Sequence, residues 1–153
     1  MNGSKKAVLD LLWNEPYKIG HWVGFKDLTA LHNEWLRSFL YADEDQTLLA
    51  HRGSYKTTDL SLFLAIHTVI APNENVMFFR KTDDDVTEVL IQTQKILRTG
   101  CMQQLVRTLY GTDLQFLKEN NSEIHTNLCT STKGVSQVVG LGIGTSITGK
   151  HAD

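Results

Sequence analysis

Apolar and polar positions alternate along this chain with two periods, and the period changes near residue 112. Residues 5–13 predict a short helix that Asn14-Glu15-Pro16 stops, because proline disfavours helical geometry in the residue before it. Residues 17–25 predict a loop rich in glycine and aromatics. Asp27 can cap a second helix, whose Leu28, Leu31, Trp35, Leu36, Phe39 and Leu40 fall at the three-and-four spacing of one buried stripe and which ends near Ala42. The acidic turn Asp43-Glu44-Asp45 leads into a strand at residues 47–50. Residues 57–71 are apolar almost all round (Leu60, Leu62, Phe63, Leu64, Ile66, Val69, Ile70), the pattern of a helix enclosed by a sheet and neighbours, and Pro72-Asn73-Glu74 breaks it.

Val76-Met77-Phe78-Phe79 is a continuous apolar run between turn residues, which predicts a strand covered on both faces and therefore a β-α-β order with a parallel pair. Thr82 with Asp85 resembles a capping box, and three successive aspartates suit a helix N-terminus electrostatically. That helix should run to Thr99, with Gly100 ending it and residues 102–109 adding a further turn or two. Beyond this point the period is two. Leu114 and Phe116, then Ile124, Thr126 and Leu128, alternate about an Asn120-Asn121 turn and predict a hairpin. Residues 135–139 give a last strand, followed by a glycine-rich tail, Gly140-Leu141-Gly142-Ile143-Gly144. The fold class expected is α/β.

With 153 residues, 41% of them hydrophobic, the chain can bury the core of one domain or most of one. A formal net charge of −2, with 15 basic residues spread along the sequence, argues against a polyanion binder that acts without help. Cys101 and Cys129 form neither a metal-ligand spacing nor a disulfide framework, which fits a reducing cytoplasm. The longest apolar run, near residues 60–70, is interrupted by Ser61, His67 and Thr68 and is too short to span a bilayer. A soluble, intracellular protein is expected.

The stretch that carries chemistry is Leu48-Leu49-Ala50-His51-Arg52-Gly53-Ser54-Tyr55-Lys56-Thr57-Thr58. Strand, small loop, Lys-Thr and apolar helix in that order are the ingredients of a phosphate-binding P-loop: amides at the helix start face an anion, the lysine brings a mobile positive charge, and the threonine hydroxyl can ligate Mg²⁺. Against the pattern G-x-x-x-x-G-K-[ST], Lys56 and Thr57 fit, whereas Ala50 stands at the first glycine position and Tyr55 at the second.

Arg52, four residues before Lys56, makes the match more specific. Arg52-Gly53-Ser54-Tyr55-Lys56-Thr57-Thr58 closely resembles the deviant P-loop of large terminase subunits, the DNA-packaging ATPases of tailed phages. The likeness runs on through Phe78-Phe79-Arg80-Lys81-Thr82 to Thr145-Ser146-Ile147-Thr148-Gly149-Lys150-His151-Ala152-Asp153, and so covers roughly residues 45–153. The resemblance implies a P-loop NTPase fold of the RecA or terminase kind, with a mostly parallel central sheet flanked by helices and incomplete at its C-terminal side. Residues 1–45 would be a helical segment and 46–153 the α/β core of one partial domain, without the family's nuclease domain. ATP and Mg²⁺ are the implied cofactors. Arg52, Gly53, Ser54, Tyr55, Lys56, Thr57 and Thr58 would bind the nucleotide, Thr57 would hold Mg²⁺, and Arg52 and Lys56 would act on the γ-phosphate, for which the planar donor fork of arginine is suited.

The same resemblance implies a motor in which ATP hydrolysis drives double-stranded DNA into a procapsid in the cytoplasm of a bacterial host. Its partners would be phage DNA, the terminase small subunit, the portal and further copies of the chain, with no membrane. The Walker B aspartate and the water-activating glutamate of the family would lie beyond Asp153. Two other readings are a non-catalytic prophage remnant or interaction fragment, and a fragment of another RecA-type helicase or translocase. If an acid within the chain completed the site, Glu123 or Asp113 would be the candidates.

Other residues carry weaker signals. Trp22 or Phe25, in the aromatic loop before the P-loop, could stack on adenine with His32 nearby, or pack against the sheet edge. Arg80 and Lys81 follow a strand's C-terminal end, the side on which open α/β sheets bind ligands. Gly144-Thr145-Ser146-Ile147-Thr148-Gly149-Lys150 spells G-x-x-x-x-G-K, but His151 replaces the Ser/Thr and no helix can follow within two residues. His67 reads as a hydrogen-bonded core residue, and the histidines, cysteines and acids give no metal constellation.

Overall fold

In the computed structural model, which describes residues 3–144, the elements follow in the order α1 (Gly3–Asn14), α2 (Tyr17–Trp22), α3 (Ala30–Tyr41), α4 (Lys56–Ile70), β1 (Val76–Arg80), α5 (Asp83–Arg98), α6 (Gly100–Tyr110), β2 (Phe116–Glu119), β3 (Glu123–Thr126) and β4 (Val138–Gly142). The all-round apolar helix is α4, and it is the centre of the molecule. Leu62, Leu64, Ala65, Ile66 and Val69 have no exposed surface, and α4 lies between α3 and α5. Full burial of each large aliphatic side chain contributes roughly 1.5–3 kcal/mol. The enclosure comes mainly from helices; α5 is the helix that lies on the sheet, against β1, β3 and β4.

The sheet differs from the expected mostly parallel one. It has four strands in the order β1-β4-β3-β2, and only β1 and β4 are parallel, in register from Val76↔Val138 to Arg80↔Gly142. β3 runs antiparallel to both β4 and β2, with an irregularity between Phe116 and Lys118. This is a small mixed sheet, not the central sheet of a P-loop NTPase. The departure begins at residues 47–50, which form no strand; Leu49 is 91% exposed. A strand needs a hydrogen-bonded neighbour, and none of the four strands pairs with this segment. The β-α-β pair across α4 therefore does not form. β1 finds its parallel partner in β4 instead, across α5, α6 and the β2–β3 hairpin. As an edge strand, β1 buries Phe78 and leaves Phe79 exposed, so the continuous apolar run does not mark a strand covered on both faces.

The glycines expected as a tail after the last strand lie within it or at its end. A Cβ on Gly140 would meet Val86 Cγ1 at 2.4 Å and Phe78 Cζ at 2.7 Å, and one on Gly142 would meet the backbone nitrogen of Asp83 at 2.7 Å. Their missing side chains let α5 lie close on β4. Gly140→Ala is expected to destabilise the fold by roughly 1–3 kcal/mol through overpacking; an unchanged urea midpoint would show that Phe78 and Val86 move aside freely.

Three local expectations change as well. Residues 17–22 form a short helix rather than a loop. α3 starts at Ala30 after Thr29 instead of being capped by Asp27, so Leu28 is buried ahead of the helix while Leu31 is half exposed. Gly100 does not end a helix but begins one: Thr99 closes α5, and its hydroxyl accepts from Met102 N–H at the start of α6. At Thr82 the N-cap half of the expected box is present, Oγ1 accepting from Asp85 N–H at 3.1 Å. Sheet and α4 are joined by buried Gln137, whose Oε1 accepts from Thr126 N–H and Oγ1–H at 2.7 Å while Nε2 donates to Thr68 O and Pro72 O. Such a satisfied buried amide fixes one arrangement of the elements it joins. No helix among the described residues is long and apolar enough to cross a membrane.

Candidate anion site at the start of α4

Residues 52–58 fold around the N-terminus of α4 and, with Arg80 from the end of β1, line one open hollow. The first helical hydrogen bond of α4 runs from Asp59 N–H to Tyr55 O at 2.9 Å. The N–H groups of Lys56, Thr57 and Thr58 precede it, so they have no carbonyl partner inside the helix and, with the helix dipole, favour an anion at this end. Arg52, Lys56 and Arg80 bring three cationic side chains to the same hollow. Lys56 Nζ donates to the Ala50 carbonyl, which folds the lysine back over the loop. Arg80 Nη1 lies 3.5 Å from Thr57 Oγ1.

Two backbone conformations shape the loop. Gly53 has φ +83°, and Tyr55, immediately before α4, has φ 60° and ψ 24°. Tyr55 is the sole non-glycine residue with positive φ among those described. A side chain in this left-handed region costs roughly 1–2 kcal/mol, which is why glycine usually stands in such places. Tyr55 thus takes the conformation that suits the second glycine of the motif, at the position of that glycine. Its ring is tied outward, with the hydroxyl 3.3 Å from Asp27 Oδ2. Ser54 is buried, its hydroxyl donating to His51 O at 2.7 Å and its carbonyl lying 3.0 Å from His32 Nε2.

The sequence is alone in pointing to a family. A scan against protein-family models and searches of curated proteins and of solved structures find no match to this chain. The residues of the hollow therefore carry the functional argument by themselves.

Seven of the nine residues expected to bind nucleotide, Arg52 through Thr58, come together in the hollow, and Arg80 joins them from β1. Trp22 and Phe25 do not line it. Trp22 is 60% exposed beside a groove formed with α1 and α6, and Phe25 lies against α5 in another groove, next to Ile91 and Ile96. Nor do the two candidate acids line it: Glu123 is held by Lys118 at 2.6 Å, and Asp113 by Arg107. The hydrogen bond from Lys118 keeps the Glu123 carboxyl below the usual range. His67 is a mostly buried residue paired with Glu74 at 3.5 Å, and its burial lowers the imidazole pKa. The second G-x-x-x-x-G-K stretch lies outside the described residues from Thr145 onward.

Sequence reasoning passed over Asp59, three residues after Lys56. It is fully buried, neither carboxylate oxygen has a hydrogen-bond partner, and desolvation raises its pKa to about 7. The signal was available: an acid in the first turn of a helix otherwise apolar all round.

For Mg²⁺, Thr57 Oγ1 is a half-buried hydroxyl at the second position of α4 that lines the hollow. No group of three or more His, Cys, Asp or Glu that could hold a metal occurs among the described residues. No carboxylate of the described residues lines the hollow, so a Mg²⁺ here would have to arrive on phosphate oxygens and keep most of its water. Thr57 is the ligand the described residues offer it.

Proposed function

We propose that residues 52–58 hold the phosphates of ATP, and that the chain is the ATP-binding portion of a viral DNA-packaging motor of the terminase large-subunit kind. The observation that carries the binding half is the left-handed Tyr55 before Lys56, a positive φ at the place where the phosphate-loop pattern has a glycine. Three cations around the start of a long helix support an anion with several charges, as a triphosphate is. The packaging half rests on the Arg52-to-Thr58 resemblance. In that motor, hydrolysis would require in-line attack by water and compensation of charge on the γ-phosphoryl group. Lys56 and Arg52 would supply part of that compensation, and Thr57 would meet the Mg²⁺ that bridges the phosphates.

Calorimetric titration of the chain with ATP and ADP, with and without Mg²⁺, tests the binding. Saturable binding of ATP is expected, and its absence would remove the reading. Arg52→Ala is expected to weaken ATP by roughly tenfold, the lower end for one charge-assisted hydrogen bond at an exposed residue, and ADP by less. Equal losses for both would make Arg52 a general phosphate contact rather than a γ-phosphate one. Phosphate release measured with and without double-stranded DNA tests the motor: the expectation for the full protein is ATP turnover stimulated by DNA.

A further inference from the structure

We propose that His32 is a positioning residue for the phosphate loop, fixing the orientation of the Ser54–Tyr55 peptide through a hydrogen bond from α3. This inference rests on the anion-binding reading of residues 52–58. His32 is 8% exposed and sits in the first turn of α3. Its Nδ1 receives Thr29 N–H at 2.9 Å and lies 3.0 Å from Thr29 Oγ1. A ring nitrogen that accepts a hydrogen bond carries no proton, so the neutral imidazole has its hydrogen on Nε2. Nε2 lies 3.0 Å from Ser54 O, which can only accept. The histidine therefore stands where a capping box places Glu or Gln, and uses its second nitrogen to hold a loop twenty-two residues away.

The consequence follows from peptide planarity. In a trans peptide the carbonyl and the next N–H point in opposite directions, and no cis bond occurs among the described residues. Holding Ser54 C=O toward α3 turns Tyr55 N–H away from α3. Rotation of that one peptide would carry φ of Tyr55 out of the positive region and relieve its strain, so the loop needs a restraint against it. His32 supplies the restraint, and its ring is wedged edge-on between Trp35, at 5.1 Å between centroids, and Tyr55, at 6.0 Å. Loss of the Nε2–H donor frees the peptide to turn and removes the Tyr55 conformation on which the hollow depends.

Two substitutions separate this role from helix capping. His32→Gln can present an amide N–H near the Nε2 position and still offer its oxygen to Thr29. His32→Asn keeps an acceptor near Nδ1 for Thr29 but cannot reach Ser54. With ATP as the titrant, the Asn variant is expected to bind five- to tenfold more weakly than the wild type and the Gln variant within twofold of it, a difference of one neutral hydrogen bond. Thermal melts recorded beside the titrations are expected to leave both variants folded at the titration temperature. Equal affinities of the Asn variant and the wild type overturn the role of His32. Failure of the wild type to bind ATP overturns the phosphate-loop reading instead. On the unaltered chain, ¹⁵N NMR of the imidazole gives a check that does not depend on the variants: the Nε2–H tautomer is expected, and the Nδ1–H tautomer overturns the proposal.

Discussion

Lys56→Ala is expected to weaken ATP binding roughly 10- to 150-fold while leaving the fold intact, the loss of a charged hydrogen bond worth about 1.5–3 kcal/mol. The side chain is exposed at the first position of α4, where it donates to the Ala50 carbonyl and packs into no core. Phosphate binding exchanges that neutral acceptor for a charged oxygen, and this exchange is what the substitution removes. Alanine is the best helix former, so α4 itself loses nothing, and a change in stability within about 0.5 kcal/mol is expected for such a surface position. Titration calorimetry and a urea melt on the same preparation check both halves. Unchanged ATP affinity in a folded variant would mean that the ammonium never meets the phosphates, and the assignment of the loop would fall with it.

The loop was legible because its signals are local. Lys56 and Thr57 fit a spacing, and the apolar residues from Leu60 to Ile70 announce the helix whose N-terminus makes the hollow. Tyr55 departs from the motif by residue type, and the structure gives it a positive φ, a conformation in which glycine is the usual residue. What could not be read was the support. His32 and Ser54 are 22 residues apart, and their hydrogen bond depends on how α3 lies against α4, which no pattern within one element specifies. The sheet failed for a related reason. Leu48, Leu49 and Ala50 are a short apolar run ahead of the loop, but such a run offers no partner, and strand pairing is decided by non-local hydrogen bonds. Likewise the apolar run Val76 to Phe79 is compatible with a central or an edge strand, and only the register with β4 decides between them.

The glycines show the opposite case, where a correct local observation was given the wrong context. Gly140, Gly142 and Gly144 read as a glycine-rich tail that follows the last strand. In the fold the first two stand where α5 approaches β4 too closely for any side chain. Close approach and flexibility leave the same mark on a sequence, and the contact with Val86 and Asp83 tells them apart.

Asp59→Asn is expected to change the pH dependence of stability more than any other single substitution among the described residues. In the folded chain, burial raises the Asp59 pKa from 3.8 to about 7, and no hydrogen bond to either oxygen offsets the desolvation. Between these two values the folded state keeps a proton that the unfolded state has released. Stability is therefore lost as pH rises from about 4 to 7 and levels off above, and a shift of this size corresponds to about 4 kcal/mol in all. Asparagine has no proton to lose, so this component vanishes. Its amide is left as unsatisfied as the carboxyl was, a cost of about 1–3 kcal/mol that does not vary with pH. The variant should accordingly match or fall below the wild type at pH 4.5 and exceed it at pH 8. Urea melts at pH 4.5, 6 and 8 read the difference directly. A difference between the two proteins that stays constant across these values would mean that Asp59 ionises as freely in the folded chain as in the unfolded one, and would overturn the raised pKa.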